Sequence, residues 1–526
     1  MSCNPKFRLT LRPVQAELIA EAGTPLRDLL FAQGVEFPCG GQGRCRGCRV
    51  HVLGGQASIN DAQRDRLSAD ELAQGWRLAC QCSVEDDLVI ELRQWDAAIL
   101  VDDTPFAFDP REGLGVAVDL GTTTLVTQLI DLRSSHVLAV RTALNAQARF
   151  GADVMSRIQL AVSAADAQRL RHLIRQQIGS LIEQSVFAAQ AEAAEITDVV
   201  IVGNTVMHHL FCGLDVEPLS RYPFEPAQLG LQSFSAAELG WKLAGPARVR
   251  FLPCLGGFVG SDILAGILAT NLHQREELNG LVDLGTNGEI VIGNRQRLLC
   301  ASTAAGPAFE GARISMGMRA ATGAISEVKV DDHSITCRVL GNVPPQGLCG
   351  SGLVDAVAAG LELGRIQPSG RFAHGASTWE LAPPVMLTQS DIRELQLAKG
   401  AIAAGIRILL ERFGAGPDDL RKLYLAGAFG NYINRASARR IGLIGFPDGK
   451  VEAAGNTALL GAKLALFRPA GDEGSFSRLR QQTEHVPLNA DQSFQDTFVE
   501  EMAFPNVGAG DWANGTGDRP TLDPNT

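Results

Sequence analysis

Four cysteines carry the first chemistry that the sequence offers. Cys39, Cys45 and Cys48 fall within FPCGGQGRCRGC, with Gly40, Gly41, Gly43 and Gly47 around them, and a gap of 31 residues separates Cys48 from Cys80. Thiolates are soft ligands, and a loop this rich in glycine lets backbone N–H groups close around a bulky inorganic centre. Four thiolates from one compact segment are the ligand set of a [2Fe–2S] cluster. The alternative is a zinc site built from Cys45, Cys48, Cys80 and Cys82. Zinc knuckles usually sit about 15–20 residues apart, and this arrangement leaves Cys39 without a role. Cys82 stands two residues beyond Cys80 as the other choice of fourth ligand.

Phosphate binding is the second chemistry. AVDLGTTT and LVDLGTNG place Asp119 and Asp283 at the same position of a D-L-G-T turn, 164 residues apart. Such a hairpin turns backbone N–H groups and Thr hydroxyls toward an anion, and its Asp can hold a Mg²⁺-bound water. A Gly-Thr turn is also common in purely structural hairpins, so the repetition carries the argument. The sequence holds no Walker A motif and no GxGxxG after a strand. Gly203, Asn204 and Thr205 read equally well as a packing turn between strand and helix.

The elements that must position these residues fall into two textures. Residues 6–33 read as two strands and a helix, the cysteine loop follows, and GWRLACQCSVEDDLVIEL ends in an alternating strand, which gives a small domain over 1–95. Residues 96–113, with two prolines and no clean period, read as a linker. Beyond them the order hairpin, helix, strand, glycine turn occurs twice: GVAVDLGTTTLVTQLIDL, a helix at 166–190 and DVVIVGNT, then GLVDLGTNGEIVIG, a helix at 391–413 and KLYLAGAFGN. This is a duplicated α/β unit, divided here into a middle segment 114–200 and a nucleotide-binding domain 201–505. The glycine-rich tail 506–526 reads as disordered.

Composition narrows the class. A net charge of −11 and only three Tyr and five Trp argue against nucleic-acid binding. No apolar signal core or membrane span appears, which points to a cytoplasmic protein, and 11 cysteines there suit reduced thiols and metal ligands. His208 and His209 are adjacent on a helix and point apart, which disfavours a metal site. Cys212, Cys254, Cys300, Cys337 and Cys349 read as small buried hydrophobes, and Asp262 as a helix cap.

CGGQGRC…RLACQ resembles the [2Fe–2S] ferredoxins with a β-grasp fold; its x5 first gap is that of the adrenodoxin-like branch, where the plant type has x4. That resemblance implies a cluster on Cys39, Cys45, Cys48 and Cys80. The duplicated hairpins resemble the ASKHA superfamily, in which two RNase H-like halves clamp ATP with Mg²⁺. By that likeness Asp119, Gly121, Thr122 and Thr123 form one phosphate hairpin and Asp283, Gly285, Thr286 and Asn287 the other. Gly427 and Gly430 of LAGAFG would contact adenosine, and Gly350 and Gly352 of GLCGSG would open a helix suited to phosphate or ribose. The whole layout resembles the reductive activators of corrinoid proteins, as do LNAQARFGADVMSRI, VGNTVMHHL, CLGGFVGSDILAG and STAAGPAFEGARI. This implies ATP-dependent reduction of Co(II) to Co(I) on a corrinoid partner of a methyltransferase system, an external electron donor, and leaves a homodimer open. An activator of another low-potential enzyme, and an ATP-gated binder of the heat-shock-chaperone type with an iron–sulfur sensor, stand as alternatives.

Overall fold

The computed structural model describes residues 5–12, 16–31, 48–91, 106, 108–151, 153–226, 228–243, 247–285, 287–320, 323–340, 343–468 and 473–506. Two compact units emerge: one runs to Asn271 and takes back Asn456–His485, and the other comprises Leu272–Gly455 with the residues from Val486 on.

The first unit begins with a mixed sheet. Strands β1 (Lys6–Arg12) and β2 (Ala16–Glu21) form one antiparallel pair, and β3 (Arg49–Gly54) and β4 (Trp76–Leu78) a second. Strand β5 (Leu88–Glu91) lies between the pairs and runs parallel to β1. Alternation along β1 turns Leu9 and Leu11 inward, where they share a core with Leu26 and Leu30 of the helix Leu26–Phe31. A helix held across such a sheet is the expected β-grasp arrangement.

Two larger sheets follow. In the first unit, β6 (Leu114–Leu120), β7 (Thr124–Asp131), β8 (Val137–Leu144), β9 (Ile196–Gly203), β10 (Gln232–Ser235) and β11 (Arg248–Phe251) lie in the order β10-β11-β9-β6-β7-β8. The second unit has β12 (Asn279–Leu284), β13 (Gly288–Gly293) and β14 (Leu298–Thr303). Inserted next are two small sheets made by β15 (Ala324–Asp331), β16 (Ser334–Val339) and β17 (Gly347–Leu348), and by β18 (Thr378–Ala382) and β19 (Val385–Thr388). Strands β20 (Lys422–Ala426) and β21 (Val451–Gly455) complete the main sheet in the order β21-β20-β12-β13-β14.

The two sheets have one plan. In each, three antiparallel strands meander, and a fourth strand then returns parallel to the first with a fifth parallel beside it. Asp119 pairs with Val202 and Asp283 with Ala426, so the duplication holds to the residue. The central strand β6 is apolar almost throughout, as suits a strand covered on both faces. The expected helices are Ala164–Ala189 and Gln389–Phe413. The second begins in a Thr388–Asp391 capping box and buries Ile392, Leu395, Ile402, Ile406 and Leu409. Each such side chain contributes roughly 1.5–3 kcal/mol of burial, which fixes the helix to its sheet.

One expected boundary is corrected. The division at 200/201 cuts through β9, which pairs with β6 as far as Gly203 and on its other side with β11 over Asp198–Ile201, so the first half extends to Asn271. The expected linker 96–113 stops where β6 begins, and along it Phe106, Phe108 and Arg111 pack against the rest of the first unit. The rings of Phe106 and Phe108 lie 5.2 and 4.8 Å from that of Phe467, and Arg111 pairs with buried Asp198 at 3.5 Å. Residues 507–526, most of the expected disordered tail, lie outside the described residues.

Candidate functional site

The antiparallel pairing of β3 and β4 brings two of the four cysteines to one end of the β-grasp sheet. Arg49 pairs with Leu78, and just beyond them Ala79 N donates to Cys48 O at 3.1 Å. Cys48 therefore leads into β3 at the place where Cys80 leaves β4, in the short turn Ala79–Gln81. Cys48 is buried and Cys80 half-buried, and Gln81 Nε2 lies 3.4 Å from Cys80 Sγ, a sulfur hydrogen bond of the kind that tunes cluster potentials. Cys39 and Cys45 lie outside the described residues. Cys82 is turned inward: its Sγ lies 3.8 Å from both Ser58 O and Gln63 Oε1, and burial pushes its thiol up to about 12. The thiolate donors and the convergence of Cys48 with Cys80 fit an iron–sulfur cluster, with Cys82 serving the core.

At the first hairpin, Asp119 is the last residue but one of β6 and Gly121–Thr123 form the turn. Side chains hold three accepting atoms of that turn, and a backbone amide holds a fourth. Asn145 Nδ2 donates to Gly121 O at 2.9 Å and Asn145 N to Thr123 O at 2.8 Å. Arg157 Nη2 donates to Thr122 O at 2.5 Å, and Asn204 Nδ2 to Thr122 Oγ1 at 2.8 Å. Asn456 Nδ2 donates to Asp119 Oδ2 at 2.9 Å. Burial raises the Asp119 carboxyl to about 6, and the Asn456 bond pulls in the other direction. Arg157 is wholly buried and makes no ion pair among the described residues; its remaining bonds run to Gly151 O, Gln147 Oε1 and Met207 Sδ. Burial lowers its guanidinium to about 9, still a cation at neutral pH.

The packing-turn reading of Gly203, Asn204 and Thr205 proves partial. Asn204 caps the helix Thr205–Cys212 through Met207 N, and its amide also reaches the hairpin. Sequence reasoning passed over Asn145, Arg157 and Asn456. A signal was present: G-N-T recurs at Gly455–Asn456–Thr457, where Asn456 caps the helix Thr457–Leu466 as Asn204 caps its own.

The second hairpin is built with smaller groups. Asp283 ends β12, and Gly285 N donates to Asn287 O at 3.1 Å; Thr286 lies outside the described residues. Gly427, at φ +82°, starts the short helix after β20, and a Cβ there would sit 2.6 Å from Asp283 Oδ1. The turn thus approaches the carboxylate closely, while Gly430 lies one helical turn farther along. Gly350 and Gly352 open the helix Gly350–Glu362, but Cβ atoms on them would meet Phe309 O at 1.9 Å and Ile325 O at 2.2 Å. Packing inside the protein therefore also calls for glycine at both positions.

Away from the hairpins, the adjacent histidines and five further cysteines sit in packed surroundings. His208 and His209 are buried against Phe251 and each other, and burial pushes His208 down to about 3. Among the described residues no group of three or more His, Cys, Asp or Glu side chains could hold a metal ion. Cys254, Cys300 and Cys349 are buried, and Cys212 and Cys337 half-buried. Asp262 is not the cap; Gly260 is, and Asp262 stands in the first turn of Ser261–Thr270.

A cysteine-bearing β-grasp domain joined to a duplicated Asp-Gly-Thr fold defines an iron–sulfur protein with an ASKHA domain. A 2Fe-2S iron-sulfur cluster binding domain matches residues 9–85, the middle region of RACo residues 114–275, and the C-terminal domain of RACo, the ASKHA domain, residues 277–514. The corrinoid activation enzyme RamQ of Eubacterium limosum is 35% identical over 74% of this chain and 70% of its own. The [Co(II) methylated amine-specific corrinoid protein] reductase of Methanosarcina barkeri is 27% identical over 74% and 77%. A solved structure titled reductive activator for corrinoid, iron-sulfur protein superposes with TM-score 0.67 at 28% identity, covering 95% of this chain and 98% of that one. The chain belongs to the family of reductive activators of corrinoid proteins.

Proposed function

We propose that this protein uses ATP to drive one-electron reduction of a Co(II) corrinoid on a methyltransferase partner to Co(I). The observation that carries the reading is the joining, in one chain, of a domain bearing Cys48 and Cys80 at one sheet end to two sheets that present Asp119 and Asp283 at matched positions. Cys39, Cys45, Cys48 and Cys80 hold a [2Fe–2S] cluster. When bound, such a cluster supplies a single electron at low potential, near −400 mV in the plant type. An external donor loads it. Each ~59 mV of mismatch costs tenfold for one electron, so ATP acts by favouring a conformation in which the acceptor is easier to reduce.

Asp119 and Asp283 orient Mg²⁺-bound water. Gly121, Thr122, Thr123, Gly285, Thr286 and Asn287 receive phosphate, and Gly427 and Gly430 let the adenosine approach. The protein works in the cytoplasm, either alone or as a homodimer; among the described residues no helix is long and apolar enough to cross a membrane.

The test is an anaerobic visible spectrum of a candidate corrinoid protein mixed with this one, a reductant and Mg-ATP. Co(I) should accumulate only with nucleotide; equal rate and extent without it would sink the coupling. Replacing Cys80 by Ser should abolish both cluster absorbance and Co(I), whereas Cys82→Ser should keep both.

A further inference from the structure

LNAQA, residues 144–148, has two working faces. Leu144, Ala146 and Ala148 pack against the β-grasp core, the core that contains Cys48 and Cys82 and against which Cys80 also packs. Between them Asn145 and Gln147 are wholly buried and serve the first hairpin. Asn145 bonds Gly121 O and Thr123 O; Gln147 Oε1 accepts from Arg157 Nη1 at 3.4 Å, and Arg157 Nη2 reaches Thr122 O. One segment, LNAQARFGADVMSRI, supplies both Asn145 and Arg157.

We propose that this segment is a strap tying the first hairpin to the iron–sulfur domain, with Asn145 and Arg157 as its positioning residues. The inference rests on the reading of the first hairpin as a phosphate site. Its physics is that of a short piece packed on both sides. Close-packed interiors do not deform smoothly, so a shift of Gly121–Thr123 around a phosphate must move Asn145, and with it the apolar side chains on either side. Arg157 adds a second contribution. Among the described residues this buried guanidinium forms no ion pair, and Asp153 offsets its charge only from a distance, so positive potential remains at Thr122 that an anion in the turn would offset. The same strap works in reverse: whatever steadies the β-grasp domain tightens nucleotide binding by the same factor.

Adjacency alone does not establish coupling, so the experiment reads both ends of the strap. Amide hydrogen exchange is followed in the full-length, cluster-loaded protein with and without a non-hydrolysable ATP analogue. Wild type should gain protection at 144–149 and also at 76–84, around Cys80. Ala148→Glu places a charge on the face toward the β-grasp core and leaves Asn145 and Arg157 in place. It should keep analogue affinity and cluster absorbance within about twofold, lose the protection at 76–84, and lower ATP stimulation of Co(II) reduction by about tenfold. Unchanged stimulation in that variant overturns the strap. So does wild-type protection confined to 144–149, a readout that stands even if the variant does not fold. If wild type binds no analogue, or Thr122→Val leaves its affinity unchanged, the phosphate-site reading fails and takes the strap with it.

Discussion

The two hairpins occupy the same place in the same sheet plan, and different groups come close to their acids. Around Asp119 the neighbours are Asn145, Arg157, Asn204 and Asn456, whose amides and guanidinium tie down the turn. Beside Asp283 the fourth strand brings Gly427, whose missing Cβ lets the backbone come close to the carboxylate. The parallel extends to the fourth strand of the first half, where a Cβ on Gly203 would meet Leu120 O at 2.4 Å. One glycine makes room for a backbone carbonyl, the other for the tip of a side chain. A duplicated fold has thus given one copy a fixed seat and the other a close approach to its acid.

The sharpest way to break this contrast is to fill both glycines. Gly427→Ala should push Asp283 Oδ1 aside and lower nucleotide affinity about 100-fold in equilibrium titration. Its left-handed backbone should cost only about 1–2 kcal/mol in denaturant unfolding. Gly203→Ala has no flexible neighbour to displace, so it should cost about 3 kcal/mol of stability at least. Equal losses of affinity and stability in the two variants would erase the distinction. Next in size, Arg157→Met leaves Gly151 O and Thr122 O without their donor and should cost about 2–4 kcal/mol, read by urea melts. Asn456→Ala removes a helix cap and should cost about 1 kcal/mol.

A further effect concerns pH. Because the folded Asp119 titrates near 6, above its ordinary value of 3.8, the native state holds the extra proton between the two. Stability should therefore decline as pH rises from about 4 to about 6, and Asp119→Asn should flatten that slope. Asn456→Ala should move the upper limit higher, since its amide favours the carboxylate.

Much of this was legible because local patterns report local structure. D-L-G-T between two apolar runs specifies a hairpin, and the helices Ala164–Ala189 and Gln389–Phe413 announced themselves by periodicity. What stayed hidden depends on who meets whom. Nothing in β9 says that it pairs with β6 through Gly203, so the boundary at 200/201 came out wrong. Asn456 lies 337 residues from Asp119, and only the repeated G-N-T hinted that the two asparagines share a task. Gly350 and Gly352 have a second reason to be glycine that the sequence does not show. Glycine at a helix start suits an incoming ligand, and in this protein Phe309 O and Ile325 O also need the room.

The first unit is discontinuous, and this has a consequence during synthesis. Its last piece, Asn456–His485, is translated only after the whole of Leu272–Gly455. At ~5–20 residues per second the ribosome needs about 10–40 s for that insertion. Through this interval the nascent chain displays Asp119 without the amide that later steadies it, so the first hairpin is completed only after most of the second unit has been made.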